Sequence, residues 1–523
     1  MSSSVPTSKP ARKSLRASLA ALVCATVCFI SAACGTPTNQ AQGNGILGSD
    51  RVSVHDPSIL KADGKYYVYG SHRAYAKSKD LVHWQTFENN LSTKFKEVLG
   101  KAYSSWPQQE ATPDIGGNMW APDVMYNKAM KKYCMYLSLN GDQKKSVIVL
   151  LTSDSPEGNW TYVGPVVYSG FGEDSYKKMD LEKVIGSPEQ TQHYLNQTIV
   201  SINAIDPTVK YDEEGNLWMS YGSWFGGIFM LKLDPTTGLR DYTHTYETVD
   251  GKSDAYFGIQ IAGGLGNSGE GSYLIRNKGY WYLFLSYGGL QQRGGYQIRE
   301  FRSKKITGPY VDEAGNPALA EMADGVNWTS ETGIRLLSSY QWSGSSKKHF
   351  EVAQGHNSVL NDNGKFYLVY HTRFADTAEM HQIRVHELLP TQSGWLTAAP
   401  YEFTGTKSKA KGYKKEKVVG KYELITHVPT TFFNGTFKNM QKKIYRGVNL
   451  PQKIELTSDG SISGDVTGKW SLTPGTNFIT LSIGGITYSG ALDELPNETS
   501  GTPVMTFSAI GKNVSIWGSQ VSS

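Results

Sequence analysis

Five residues of this 523-residue chain stand in one recurring setting and could do chemistry together: Asp56, Asp123, Asp206, Glu270 and His356. Each heads an apolar strand pattern, followed by a turn and a second, aromatic-rich strand. His55-Asp56-Pro57-Ser58-Ile59-Leu60 leads through Asp63-Gly64 to Tyr66-Tyr67-Val68-Tyr69, and the other four head similar phrases. Asp56, Asp123, Glu270 and His356 each have an aromatic residue ten positions on: Tyr66, Tyr133, Tyr280 and Phe366. Asp206 reaches Leu217 and Trp218 instead, because its turn is one residue longer. Acids brought face to face repel and shift each other's pKa values, which is costly unless they do chemistry or hold a cation. Three carboxylates suit hydrolysis of a glycosidic bond. One stays ionised and activates water; one stays protonated and donates to the leaving oxygen. The third holds the acid's pKa up by its own charge and orients the sugar. Pro57 and Pro207 disfavour α geometry in the residue before them, so Asp56 and Asp206 are expected to be extended. His356 shares the column; a neutral imidazole there would ligate a cation beneath the substrate, the alternative being a hydrogen-bonded structural histidine.

The elements that must bring these residues together follow from their spacing. The copies recur every 65 to 85 residues or so, which fits one hairpin-rich blade each. Five copies imply a five-bladed β-propeller, with the column converging on the mouth of one central tunnel. A second repeat supports the blades: Tyr162-Val163-Gly164-Pro165 closes one, and Ile306-Thr307-Gly308-Pro309-Tyr310 closes another. Residues 87–119 and 171–201 are longer than blade connections need and read as insertions. Thr404 to Glu416 is rich in Lys and Gly and marks a boundary. Beyond Val418, short alternating strands separated by Asp459-Gly460 and Gly484-Gly485 predict a small all-β barrel or sandwich without catalytic residues. The expected division is a propeller over 51–404 and a β domain over 418–523.

Residues 1–34 read as an export signal. Lys9, Arg12, Lys13 and Arg16 precede an apolar run from Ala17 to Ile30, too short for a comfortable membrane span. Ser31-Ala32-Ala33-Cys34 resembles a bacterial lipobox, so Cys34 is expected to carry a lipid at the cell surface. The polar stretch 35–50 would be its tether. Removing the four basic residues of the leader from the formal charge of +5 leaves about +1, so nothing argues for nucleic acid. Cys134 sits in an apolar strand and is expected to be a buried free thiol. Aromatic residues make up 12% of the chain; they serve as blade core, and Trp and Tyr also offer flat apolar faces on which sugar rings stack. Trp120, Trp224 and Phe225 fit either that role or a core role. Asp123 is a candidate polar contact. Gly264, Gly266 and Gly269 form a GxGxxG, but a strand rather than a helix follows, so no dinucleotide site is expected.

His55-Asp56-Pro57-Ser58, Trp120-Ala121-Pro122-Asp123, Ile205-Asp206-Pro207, Tyr221-Gly222-Ser223-Trp224-Phe225-Gly226-Gly227-Ile228, Ser268-Gly269-Glu270 and Gly355-His356-Asn357-Ser358-Val359 together resemble glycoside hydrolase family 43. Within it they are most similar to the endo-1,5-α-L-arabinanases that carry a C-terminal β domain. The resemblance implies hydrolysis of α-1,5-linked arabinan with inversion. It makes Asp56 the general base, Glu270 the general acid and Asp206 the pKa modulator, and matches His356 to the contact of a calcium ion in the central channel. Trp120, Asp123, Asn203, Ser223, Trp224, Phe225 and Arg299 form the expected substrate shell of an exported monomer acting on arabinan and its oligosaccharides. Ser272 departs from the pattern, where Pro is expected soon after the acid. An exo-acting α-L-arabinofuranosidase or β-xylosidase of the same fold, and a non-catalytic sugar-binding propeller, are the alternatives.

Overall fold

The computed structural model describes residues 50–106, 116–142, 144–196, 200–224, 226–263, 269–319, 332–345, 350–406, 412–428 and 448–521. The leader, Cys34, Phe225 and the glycines at 264 and 266 lie outside them. Alternating apolar residues and Asp-Gly, Asn-Gly and Lys-Gly turns fold the first four hundred residues into antiparallel meanders. Four of these are separate sheets, over 58–86, 119–168, 208–262 and 351–398. A further four-stranded meander, 270–338, has the same form, but its outer strand continues into the sheet of the C-terminal domain. The class is the one expected: an all-β propeller followed by a barrel. The first strands of all five meanders line one axial cavity, at Asp56, Ala121, Asp206, Gly271 and His356.

Apolar cores fill the gaps between neighbouring meanders. Val54, Ile59 and Val68 pack on Val369, Ile383 and Val385, joining the first to the last. Ile228 and Met230 pack on Leu274 and Leu283. The ring is also closed by the segment before the first strand. Ile383 donates its N–H to Val52 O (3.2 Å), and Trp84 donates to Asp50 O (3.1 Å). Arg51 holds Glu402 through two hydrogen bonds. Both long connections contain short helices, Asn90–Val98 and Gly100–Ser105 in one, Leu181–Ile185 and Pro188–Leu195 in the other. Cys134 is a buried free thiol, its pKa pushed up to about 12 by burial.

The C-terminal domain is a closed barrel of eight strands. Its last strand, Val514–Gln520, pairs with both Gly420–Thr426 and Pro503–Gly511. Side chains fill the interior, among them Trp470, Leu481, Phe507 and Ile516. The barrel docks where the strand Ile334–Ser338 meets Val514–Gln520 in parallel, Arg335 opposite Val514. Asn513 seals the junction, accepting Arg335 N–H and donating to Asp312. Trp517 is fully buried between propeller and barrel, stacked on His386 and edge-on to His427.

Candidate active site

The inner strands are kinked where they reach the axis. Asp56, Ala121, Asp206, Gly271 and His356 all have positive φ, between 39° and 62°. The expectation that proline holds Asp56 and Asp206 extended is therefore corrected. A following proline bars right-handed α geometry but leaves positive φ open, and Asp tolerates it better than most residues. Strand pairing corrects the alignment as well. Asp56, Asp206 and His356 share one level with Ala121 and Gly271. Asp123 pairs with Tyr136 as Ser58 pairs with Tyr69, so Asp123 sits two residues deeper. Tyr273 pairs with Phe284 at that deeper level, so Glu270 stands one residue ahead of the column. The first offset arises because the turn between Asn127 and Lys132 is two residues longer than that between Ala62 and Lys65, and the second because Trp281, not Tyr280, stands where Tyr66 does.

The kinks turn one backbone N–H per inner strand sideways, and the neighbouring meander receives four of them. Ala121 donates to Ser71 Oγ (2.8 Å), Asp206 to Ser138 Oγ (3.1 Å), His356 to Ser286 Oγ (2.7 Å) and Asp56 to His371 Nδ1 (3.3 Å). The matching position in the third meander is Gly222, where a Cβ would lie 2.3 Å from Gly227 O. With no side chain there, the N–H of Gly271 turns to the Asp206 carboxylate instead, at 3.2 Å.

Asp56 is surrounded by imidazoles and a hydroxyl donor. Its Oδ1 lies 2.7 Å from His55 Nδ1, 3.0 Å from His356 Nδ1 and 3.7 Å from His371 Nδ1, and Ser71 donates to Oδ2. Burial works against its charge, but His356 and His55 outweigh burial and hold its pKa well below the usual carboxylate range. Glu270 goes the other way. Burial raises its pKa and the Asp56 charge adds to that, against His356 and the hydroxyl of Tyr296, which donates to Oε1 at 2.7 Å. Asp206 is also raised, by burial and by the charges of Glu270 and Asp56, with His356 opposing. One carboxylate is thus biased toward its ionised form beside two biased toward protonation, the division that general base and general acid need.

The rest of the expected shell divides. Ser223 Oγ faces Glu270 Oε2 at 3.4 Å, and Trp224 is half-buried edge-on to Tyr287. Trp120 is half-buried, its indole N–H on Gly117 O. Asp123 is fully committed below the mouth. It accepts from Ser58 Oγ (2.7 Å) and from Val209 N–H (2.8 Å), so it ties three meanders together rather than facing the sugar. Asn203 is buried and accepts from Ser146 Oγ. Arg299 lies behind Tyr287, its guanidinium 4.2 Å from the ring centre, and donates to Thr332 O. Tyr287 in turn meets Trp224 edge-on, which links Arg299 to the site. Sequence reasoning missed His371, Ser71 and Tyr296 as neighbours of the acids. Aligning the second strands would have found two of them, since Ser71 and His371 stand five residues after Tyr66 and Phe366.

The residues present fit a cation on the axis. His356 Nδ1 faces Asp56, leaving Nε2 as the ligating nitrogen in a carboxylate–imidazole–metal relay. Asn357, 2% exposed, lines the same axial cavity, and neither of its side-chain amide atoms has a partner among the described residues. A hydrated hard cation would satisfy the amide oxygen. His55, Asp56 and His371 also bring ligand atoms within 4.8 Å of one another. There, however, Nδ1 of His371 accepts the Asp56 N–H, and Nδ1 of His55 faces the carboxylate; that trio orients the acid.

The sequence matches the model for glycosyl hydrolases family 43 over residues 50–181 and 183–391, and the model for a C-terminal lipocalin-like domain over 400–518. It is 35% identical to the extracellular endo-α-(1→5)-L-arabinanase of Thermotoga petrophila, covering 90% of this chain and 93% of that one. It is 34% identical to extracellular endo-α-(1→5)-L-arabinanase 2 of Bacillus subtilis, with the same coverage. A crystal structure of a family 43 protein from Bacillus licheniformis superposes with a TM-score of 0.74 at 32% identity, covering 91% of this chain and all of that one.

Proposed function

We propose that this chain, which belongs to glycosyl hydrolases family 43, is an exported endo-1,5-α-L-arabinanase that cleaves arabinan with inversion. The observation that carries this reading is the contrast in surroundings at one mouth: three imidazoles and a serine around Asp56, which lower its pKa, and burial beside the Asp56 charge around Glu270, which raises its own. Asp56 takes a proton from water as that water attacks the anomeric carbon. Glu270 gives its proton to the departing glycosidic oxygen. Asp206 gives no proton; any charge on its carboxylate opposes ionisation of Glu270, and the group orients the sugar. Trp120, Ser223, Trp224 and Phe225 form the substrate shell, with Asn203, Asp123 and Arg299 bracing it from behind. His356 and Asn357 would hold a calcium ion beneath the site. That ion would supply fixed positive charge near Asp56, Asp206 and Glu270.

A time course on linear debranched arabinan, with products resolved by size, tests the reading. Early mid-length oligosaccharides and a fast fall in viscosity are expected. Arabinose alone would move the enzyme to the exo class, and no product from arabinan, xylan or aryl glycosides would leave a binding module. The anomer first released, followed by NMR, distinguishes inversion from retention. Cys34 in its lipobox setting supports a lipid anchor at the bacterial surface, with the protein acting as a monomer. Cys34→Ala should then release the protein from the membrane fraction. Removing the metal should lower activity or melting temperature; an unchanged, demonstrably metal-free protein would sink the calcium role.

A further inference from the structure

We propose that Tyr296 is a positioning residue for the general acid: it holds Oε1 of Glu270 and thereby makes Oε2 the oxygen that carries and delivers the proton. This rests on the hydrolase reading above and adds the atom through which it acts. Tyr296 is 1% exposed, and burial together with the nearby acids keeps its phenol protonated. Among the described residues its hydroxyl has one hydrogen-bond partner, Glu270 Oε1, at 2.7 Å. A buried O–H left without an acceptor is costly, so this hydroxyl donates and Oε1 accepts. The acid proton is then confined to Oε2, which faces Ser223 Oγ and the mouth.

The ring that carries this hydroxyl has little freedom. It lies nearly parallel to His371, 5.9 Å between centres and 29° apart, and His371 in turn stacks on His55 at 3.9 Å. His371 accepts the N–H of Asp56, and His55 contacts its carboxylate, so one stack of three rings runs from the base to the acid. On another side Gly355 leaves the ring its space: a Cβ there would lie 2.0 Å from two ring carbons. Behind it the hairpin 288–295 brings the backbones of Gly289 and Gly294 so close that a Cβ on Gly294 would lie 2.0 Å from Gly289 O. In the reaction the O–H bond at Oε2 breaks as the glycosidic oxygen leaves C1 and takes that proton. Water supplies the new C1–O bond and its proton passes to Asp56. The Glu270 carboxylate left behind keeps the Tyr296 hydrogen bond, so the interaction strengthens as charge develops.

The test uses Tyr296→Phe in the full-length protein and two substrates that differ only in what leaves. One is an unmodified arabino-oligosaccharide, whose alkoxide must be protonated. The other is the same oligosaccharide carrying a 2,4-dinitrophenyl group, which departs without a proton. We expect kcat on the first to fall about 10- to 100-fold and on the second by less than about threefold, within the range general acid catalysis supplies. Equal losses on both substrates would mean a merely structural role and overturn the proposal, as would no loss on either. Gly355→Ala, which keeps the hydroxyl but displaces its ring, is expected to show the same split. A second readout needs no turnover: the 13C signal of the Glu270 carboxyl should titrate at higher pH in Tyr296→Phe, and an unmoved titration overturns the assignment. Wild-type protein that cleaves no arabinan would sink the substrate reading while leaving that measurement decisive for Tyr296.

Discussion

At the scale of the residue, the site works by giving similar side chains different surroundings. Asp56 is ringed by His55, His356 and His371, while Glu270 and Asp206 meet burial and like charge. Asp56→Ala and Glu270→Ala should each lower turnover on linear arabinan by about 10²- to 10⁴-fold, with unchanged circular dichroism. The pH profile has a definite sign. With Asp56 as the proposed base and Glu270 as the proposed acid, activity needs Asp56 ionised, so it falls as pH drops through a pKa held below the ordinary value of about 3.9. It needs Glu270 protonated, so it falls as pH rises through a pKa held above the ordinary value of about 4.3. Positive charge at His356, either the imidazolium's own or that of an ion it holds, lowers all three acids, so His356→Gln should move both limbs of kcat/KM to higher pH. An unmoved profile would show that His356 adds no positive charge to the site.

At the scale of the element, the kinked inner strands hold the acids at the axis, and stitches between meanders hold the kinks. Ser71 is both a stitch and a neighbour of the base, accepting from Ala121 and donating to Asp56. Ser71→Ala leaves a buried N–H unpaired and should cost about 1–3 kcal/mol of stability, read by denaturant unfolding. The same variant removes a donor from Asp56 and should shift the acid limb upward. Gly355→Ala should destabilise by about 1–3 kcal/mol through overpacking on Tyr296, besides its effect on the acid. The Asp-Pro phrases and the aromatic register announced these strands in the sequence. The depth of Asp123 and Glu270 was not legible, because an aromatic ten positions on reveals neither the length of the intervening turn nor which aromatic of the run Tyr280-Trp281-Tyr282 matches Tyr66. That is why both read as level with Asp56.

At the scale of the whole molecule, the barrel completes the propeller's fourth meander. Without it Ile334, Leu336 and Leu337 would lie on an open edge strand, so a chain ending near residue 404 should aggregate on size exclusion or melt at lower temperature. The junction is also acid-sensitive. His427 is fully buried against Trp517, and burial, with the Arg335 charge, lowers its pKa to about 3. The unfolded chain takes up that proton near pH 6.5 and the folded chain does not, so stability is lost as pH falls from there toward 3. The loss approaches the order of 4 kcal/mol. His427→Gln should flatten the dependence of melting temperature on pH over that window.

The sequence alone determined the all-β class, the repeated hairpins, the family resemblance and the presence of three acids in matching phrases. Those follow from residue type and short-range spacing, which the chain carries openly. Only the tertiary structure decided who stands beside whom. His371 reaches Asp56 across 315 positions, and Tyr296 meets Glu270 around a hairpin. It also decided that Asp123 and Arg299 support the site from behind, since direction at the axis is set by backbone kinks and cross-blade hydrogen bonds. A pKa belongs to the assembled neighbourhood of a group, and no linear pattern contains that neighbourhood.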